Sequence, residues 1–199
     1  AQDHGFSLTG NRQFRIDMWQ TLLHTTSDPA CWLTRTPHPS LTRLRTLAAR
    51  SGAVMADTGT SALLAFLCDC AILERSFKMG ITLVNCGNTH VLAALAYRGR
   101  ICALYEHHTG LLTEDALEND LREFRLGWLP RERVQAAHGH GTVYGERPQE
   151  AGGFEPTYVT GPMRDRFSRI GKPVDPCGSM MTAGCFGLLW GAAHNTTIF

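Results

Sequence analysis

The sequence predicts an α/β fold: a mixed sheet whose first three strands are antiparallel, flanked by helices. Three observations carry that expectation. Residues 81–86, Ile-Thr-Leu-Val-Asn-Cys, form a short apolar run rich in β-branched side chains and bounded by glycines, the pattern of a buried strand. Residues 91–97 and 100–106 read as two further strands, joined at Arg98-Gly99 by a two-residue hairpin turn. On both sides of this block, apolar residues recur at helical spacing.

The elements follow in chain order. Residues 1–10 are polar and read as a loop. Asn11 caps a helix through Phe14, Met18 and Leu22. Prolines and threonines make residues 27–39 irregular. Residues 40–51 form a second helix with a Leu41, Leu44 and Leu47/Ala48 stripe, ended by Gly52. Residues 53–56 form a brief strand leading into Asp57-Thr58-Gly59-Thr60-Ser61, and residues 62–70 a buried helix. After the three strands, Thr113 caps a helix whose first turn holds Glu114 and Asp115, favourable against the helix dipole. Leu117, Leu121 and Phe124 face inward and Gly127 stops it. Pro130 opens a shorter helix to about Ala137. Residues 142–156, rich in Gly, Pro and Glu, read as a loop; 157–160 as a strand; 163–170 as helical; 178–194 as a tightly packed closing helix. The division expected is a helical segment at 1–52 and an α/β domain at 53–199.

Composition excludes several classes. At 199 residues and a formal net charge of +1, nothing recommends nucleic acid or an anionic membrane as partner. No apolar run reaches the roughly 18 residues of a membrane span, and the first residues lack the pattern of a signal peptide. Seven cysteines, mostly inside apolar runs and with no C-x2-C pair, suggest a reducing, cytoplasmic home rather than a zinc knuckle. The chain begins without Met, so it is expected to be the remainder of a longer protein.

Four motifs carry chemistry. Gly87-Asn88-Thr89-His90 offers backbone N–H groups and a hydroxyl at a strand end, which suits a phosphate. Asp57-Thr58-Gly59-Thr60-Ser61 reads as a phosphate-binding loop or as the loop of an aspartic protease. A protease needs two such aspartates; one copy would require a symmetric dimer, and the surrounding helices argue against that fold. Glu106-His107-His108-Thr109-Gly110 places an acid and two imidazoles at a strand end, suited to general base work or metal binding. His138 and His140 are expected to join His107 or His108 as metal ligands if the fold brings them together. Finally, Thr160-Gly161-Pro162-Met163 is a strand, glycine turn and helix start.

These motifs, in this order, resemble two things. The three-strand block with a small polar turn after its first strand is similar to the start of a ribonuclease-H-like half, the building block of actin-like ATPases and sugar kinases. That resemblance implies phosphate at Gly87, Asn88 and Thr89, and an adenosine pocket at Gly161, Pro162 and Met163. Pro162 departs from the Gly-Gly of that superfamily. The whole set, with Gln2-Asp3-His4-Gly5 and Asp57-Thr58-Gly59, also resembles a family of unknown function often labelled "putative pyruvate formate-lyase activating enzyme", whose members carry a further segment ahead of this one. A glycyl-radical activase needs Cys-x3-Cys-x2-Cys for its iron–sulfur cluster; Cys68, Cys70, Cys86 and Cys102 do not have that spacing, so no cluster is expected.

The reading that results is a second lobe binding a nucleotide or phosphorylated ligand, with ATP and Mg²⁺ as expected cofactors and a missing first lobe or a second copy as expected partners. Thr58, Gly59, Gly87, Asn88, Thr89, Gly161, Pro162 and Met163 would line the cofactor site. Asp57 or Glu106 would hold Mg²⁺ or orient a nucleophile, and His107 or His108 would transfer a proton. The alternatives are a non-catalytic ligand-binding or scaffold protein on the same fold, and a metal-dependent hydrolase built on the histidines.

Overall fold

The computed structural model describes residues 10–195. The Gln2-Asp3-His4-Gly5 stretch therefore lies outside the described residues, as does most of the expected N-terminal loop. Among the described residues are seven α-helices: α1 (Asn11–Thr25), α2 (Thr42–Ser51), α3 (Thr58–Cys68), α4 (Cys70–Lys78), α5 (Glu114–Leu126), α6 (Arg131–Ala136) and α7 (Met180–His194). Six strands, β1 (Ile81–Cys86), β2 (His90–Tyr97), β3 (Arg100–His108), β4 (Gly141–Tyr144), β5 (Thr157–Thr160) and β6 (Lys172–Pro173), form one mixed sheet in the order β4-β3-β2-β1-β5-β6. No helix among the described residues is long and apolar enough to cross a membrane.

The expected three-strand block is present. β1, β2 and β3 are antiparallel neighbours, and Arg98 and Gly99 both take positive φ, as a tight hairpin of right-twisted strands requires. β5 then pairs in parallel on the other side of β1, and β6 on β5. The apolar run of β2 is buried along its whole length because helices cover both faces of the sheet. On one face Val84, Val91, Leu95 and Tyr105 pack against Leu117, Leu121 and Phe124 of α5. On the other, Leu83, Leu92 and Leu104 meet Ile16 and Trp19 of α1 and Leu63 and Phe66 of α3.

The ladder of β2 with β3 has one irregularity that decides the site. It begins with Tyr97 opposite Arg100 and Ala96 opposite Ile101, then steps to Leu95 opposite Ala103, leaving Cys102 as an extra residue. A strict ladder would set His107 opposite His90 and Glu106 opposite Val91. The bulge instead sets His108 opposite His90 and Glu106 opposite Leu92. Because side chains alternate along a strand, that single step turns Glu106 and His108 to the α1/α3 face and His107 to the other.

Several boundaries differ from expectation. Asn11 is the first helical residue and Gly10 the cap. The strand expected over 53–56 is a single bridge, Met55 with Thr34. The helix expected over 62–70 is two helices: Asp69 ends α3 and caps α4, accepting from the N–H groups of Ala71 and Ile72 at 3.0 and 3.3 Å. The expected loop over 142–156 includes β4, an edge strand on β3. The segment expected to be helical over 163–170 is only a 3₁₀ turn at Arg164–Phe167. The other edge, β6, is two residues long and carries Lys172 and Pro173, which discourage further pairing.

Candidate functional site

The polar residues of the α1/α3 face gather at the end of the sheet where β1 and β3 finish and β2 begins. Arg15, on the inward face of α1, is 1% exposed. Its Nε and Nη2 each donate to Glu106, to Oε2 and Oε1 at 2.9 Å, and Nη2 also donates to Asp57 Oδ1 at 2.9 Å. Trp19, one turn further along α1, donates its indole N–H to Glu106 Oε2 at 3.0 Å and lies under the guanidinium, 4.6 Å from its ring centroid. Asp57 caps α3, accepting the Gly59 N–H at 2.8 Å. Among the described residues, Nη1 of Arg15 is a buried donor with no hydrogen bond.

The electrostatics follow from burial and pairing. Burial alone would raise the Glu106 carboxyl, but the Arg15 charge and its two hydrogen bonds outweigh it and hold Glu106 down at about 2. Burial would equally lower the Arg15 guanidinium; Asp57 and Glu106 overcome that and raise it. Arg15 and Glu106 are therefore ionised together, with Asp57 as the second carboxylate on the guanidinium.

Beside this triad stand three imidazoles. His90 and His108 are a cross-strand pair with ring centroids 4.6 Å apart, and His140, immediately before β4, lies 4.9 Å from each. One ring nitrogen from each falls within 4.8 Å of the others. His140 Nδ1 is 3.8 Å from Glu106 Oε2, and His90 Nδ1 is 3.0 Å from Thr89 Oγ1. Burial pushes His140 down to about 3, so it is a neutral imidazole at neutral pH.

The fold brings together some expected residues and separates others. Asp57, Glu106 and His108 converge, and Thr58 and Gly59 sit beside them in the first turn of α3. His107 does not join them. It lies on the opposite face against Tyr105 and Gly139, its Nδ1 3.2 Å from the His108 carbonyl, and burial lowers its imidazole. His138 is exposed and outside the trio, so the expected pairing of His138 with His140 is replaced by His140 with His90 and His108. The turn Gly87-Asn88-Thr89 exposes Asn88 and Thr89. Thr109 secures it, donating its hydroxyl to the Gly87 carbonyl at 2.7 Å and its N–H to the Thr89 carbonyl at 2.9 Å. Gly161, at φ 100°, presses so closely on the Cys86 backbone that no Cβ would fit, and Met163 donates its N–H to the Cys86 carbonyl at 3.0 Å, with Pro162 exposed between them.

A pocket of about 480 Å³, lined by Phe14, Met18, Trp32, Leu41 and Thr60, reaches Asp57 from the α1/α2 side. A larger one of about 680 Å³ lies around Arg98 and Arg100 at the hairpin end of the sheet, away from the cluster.

Sequence reasoning missed Arg15, Trp19 and His90 as site residues. Arg15 and Trp19 are spaced at i, i+4 on the inner face of α1, and an arginine on an apolar stripe signals a buried partner. His90 carried a signal only in its place opposite the end of β3.

The sequence profile of one family, described as "Putative pyruvate format-lyase activating enzyme (DUF1786)", matches residues 1–166. The chain belongs to this family. A search of curated proteins finds no match. The DUF1786 description implies an iron–sulfur cluster, and the sequence does not carry the Cys-x3-Cys-x2-Cys spacing of such activases. Cys86 and Cys102 are buried in the core, where burial pushes their thiols up to about 12 and about 11. Cys68 and Cys177 lie 3.1 Å apart between sulfurs, with Cys70 near enough to act on Cys177.

Proposed function

We propose that this DUF1786 chain is a ribonuclease-H-like lobe of the actin-like ATPase and sugar-kinase type, and that it binds a nucleotide or phosphorylated ligand at the carboxyl ends of β1 and β5. The observation that carries the reading is the contact of two glycine turns. Gly161 to Met163, leaving β5, rests on Cys86, the residue before the Gly87-Asn88-Thr89 turn. The ends of neighbouring parallel strands, where adjacent turns begin, are the usual place for a phosphate in open α/β sheets. The antiparallel β1–β3 block with parallel β5 on its flank supports the fold assignment. In this reading the ligand lies between this lobe and a second one, and Mg²⁺ accompanies the phosphates.

Asp57 and Glu106 are both already paired with Arg15, which favours ligand binding without catalysis as the second reading. Calorimetric titration of Mg·ATP into the longest expressible form tests both. Micromolar affinity that falls at least tenfold in Asn88→Ala/Thr89→Ala, with the circular dichroism unchanged, supports the crevice. Measurable turnover by the wild type would then separate catalysis from binding. Equal affinity in wild type and variant, or no binding at all, removes the nucleotide assignment.

A further inference from the structure

We propose that His90, His108 and His140 form a binding site for one divalent transition-metal ion of the zinc, cobalt or nickel class. The site adjoins the proposed nucleotide crevice at Thr89, and none of its three ligands requires a nucleotide to be bound there.

Three independent elements supply the ligands, and the bulge in β3 aligns two of them. His90 opens β2, His108 closes β3, and His140 enters β4. Their ring nitrogens already lie within 4.8 Å of one another. A tetrahedral ion with nitrogen ligands at about 2.0–2.1 Å places them roughly 3.4 Å apart, so ring rotations of about an ångström complete the site. The Thr89 hydroxyl holds His90 Nδ1, which assigns Nε2 to the ion. Imidazole donors select zinc, copper, nickel or iron over magnesium and calcium, which need oxygen.

Charge argues the same way. Arg15, Asp57 and Glu106 together carry one net negative charge, and Glu106 lies 3.8 Å from His140. A dication beside these carboxylates is stabilised by them. With three protein donors the ion keeps a coordination position for water or a substrate oxygen, as a catalytic site does and a purely structural four-ligand site does not.

The test uses metal alone. The chain is stripped with chelator and titrated with Co²⁺, followed by its visible d–d bands, and with Zn²⁺ by calorimetry. One equivalent bound at micromolar affinity or tighter is expected. His140→Ala should weaken it at least 100-fold, while His138→Ala leaves it unchanged. His108 is half-buried, so His108→Gln serves as a second ligand variant that keeps the fold and should also weaken binding. Absence of saturable one-to-one binding in the wild type overturns the proposal. So does binding that survives both His90→Ala/His140→Ala and His108→Gln, or that is lost equally in His138→Ala.

Discussion

Arg15 holds two carboxylates in a water-excluded pocket, and the cost of removing it is set by what it leaves behind. Arg15→Met would strand Asp57 and Glu106 without their counter-charge, and unpaired buried charges of this kind cost about 3–5 kcal/mol. We expect that loss in urea unfolding. Adding Glu106→Gln and Asp57→Asn to Arg15→Met should recover much of it, because the charges themselves are then gone. Arg15→Lys should not rescue, since an ammonium cannot reproduce the side-by-side bonds to Oε1 and Oε2 of Glu106. Failure of the triple variant to regain stability over Arg15→Met would show that packing of the guanidinium on Trp19, not charge, is what matters. Glu106 and Asp57 were legible as candidates because acids at a strand end and in a Gly-Thr turn stand out in sequence. Their partner was not, because Arg15 is remote from both in sequence and only the docking of α1 on the sheet joins them.

Among the elements, α7 shows how small residues set a distance. Gly187 lies directly on the backbone of Ser61 and Ala65 in α3, so the two helices meet there without intervening side chains, and Gly191 leaves room for the Leu64 side chain. Gly187→Leu should therefore force α7 off α3, at about 1–3 kcal/mol for the overpacking, read as a lower melting temperature. An unchanged melting temperature would mean that α7 contributes little to the fold. A smaller effect, about 1 kcal/mol, is expected for Asp69→Ala, which removes the cap of α4. Strong local signals made α2, α5 and the hairpin readable: glycines past the C-termini, a capping threonine with acids behind it, and a two-residue turn. The junction at Cys68-Asp69-Cys70 was not readable, because an aspartate within an apolar stretch does not declare that it closes one helix and caps the next. β4 and β6 are too short to show a period, and only pairing with β3 and β5 makes them strands.

For the molecule as a whole, burial of titratable groups fixes an alkaline limit. Cys86 and Cys102 are raised from 9.0 to about 12 and about 11, and Tyr144 from 10.0 to about 12, by desolvation first. The folded chain keeps protons that the unfolded chain releases, so this contribution to stability is complete below pH 9 and is lost as pH rises towards 12. Chemical denaturation between pH 8 and 11.5 should show the decline beginning near 9. Thiol alkylation at pH 8 should label exposed Cys70 and Cys185 and spare Cys86 and Cys102. Early labelling of Cys86 would mean that the β1 core opens readily. The layered α/β arrangement was legible from the block at residues 81–106. The side of the sheet on which its chemistry sits was not, since that depends on one extra residue in β3.

That extra residue makes the chain tolerant of two kinds of change at one codon. Replacing Cys102 by Ala alters only volume. Deleting it would straighten the ladder and still leave Glu106 opposite Leu92 and His108 opposite His90, because the pairing from Ala103 onward already skips Cys102. It is straightening with Cys102 retained that would carry Glu106 and His108 to the α5 side. This position is therefore open to substitution and to loss alike, and a relative lacking one residue between the hairpin and Glu106 would keep both faces of its sheet on a regular ladder.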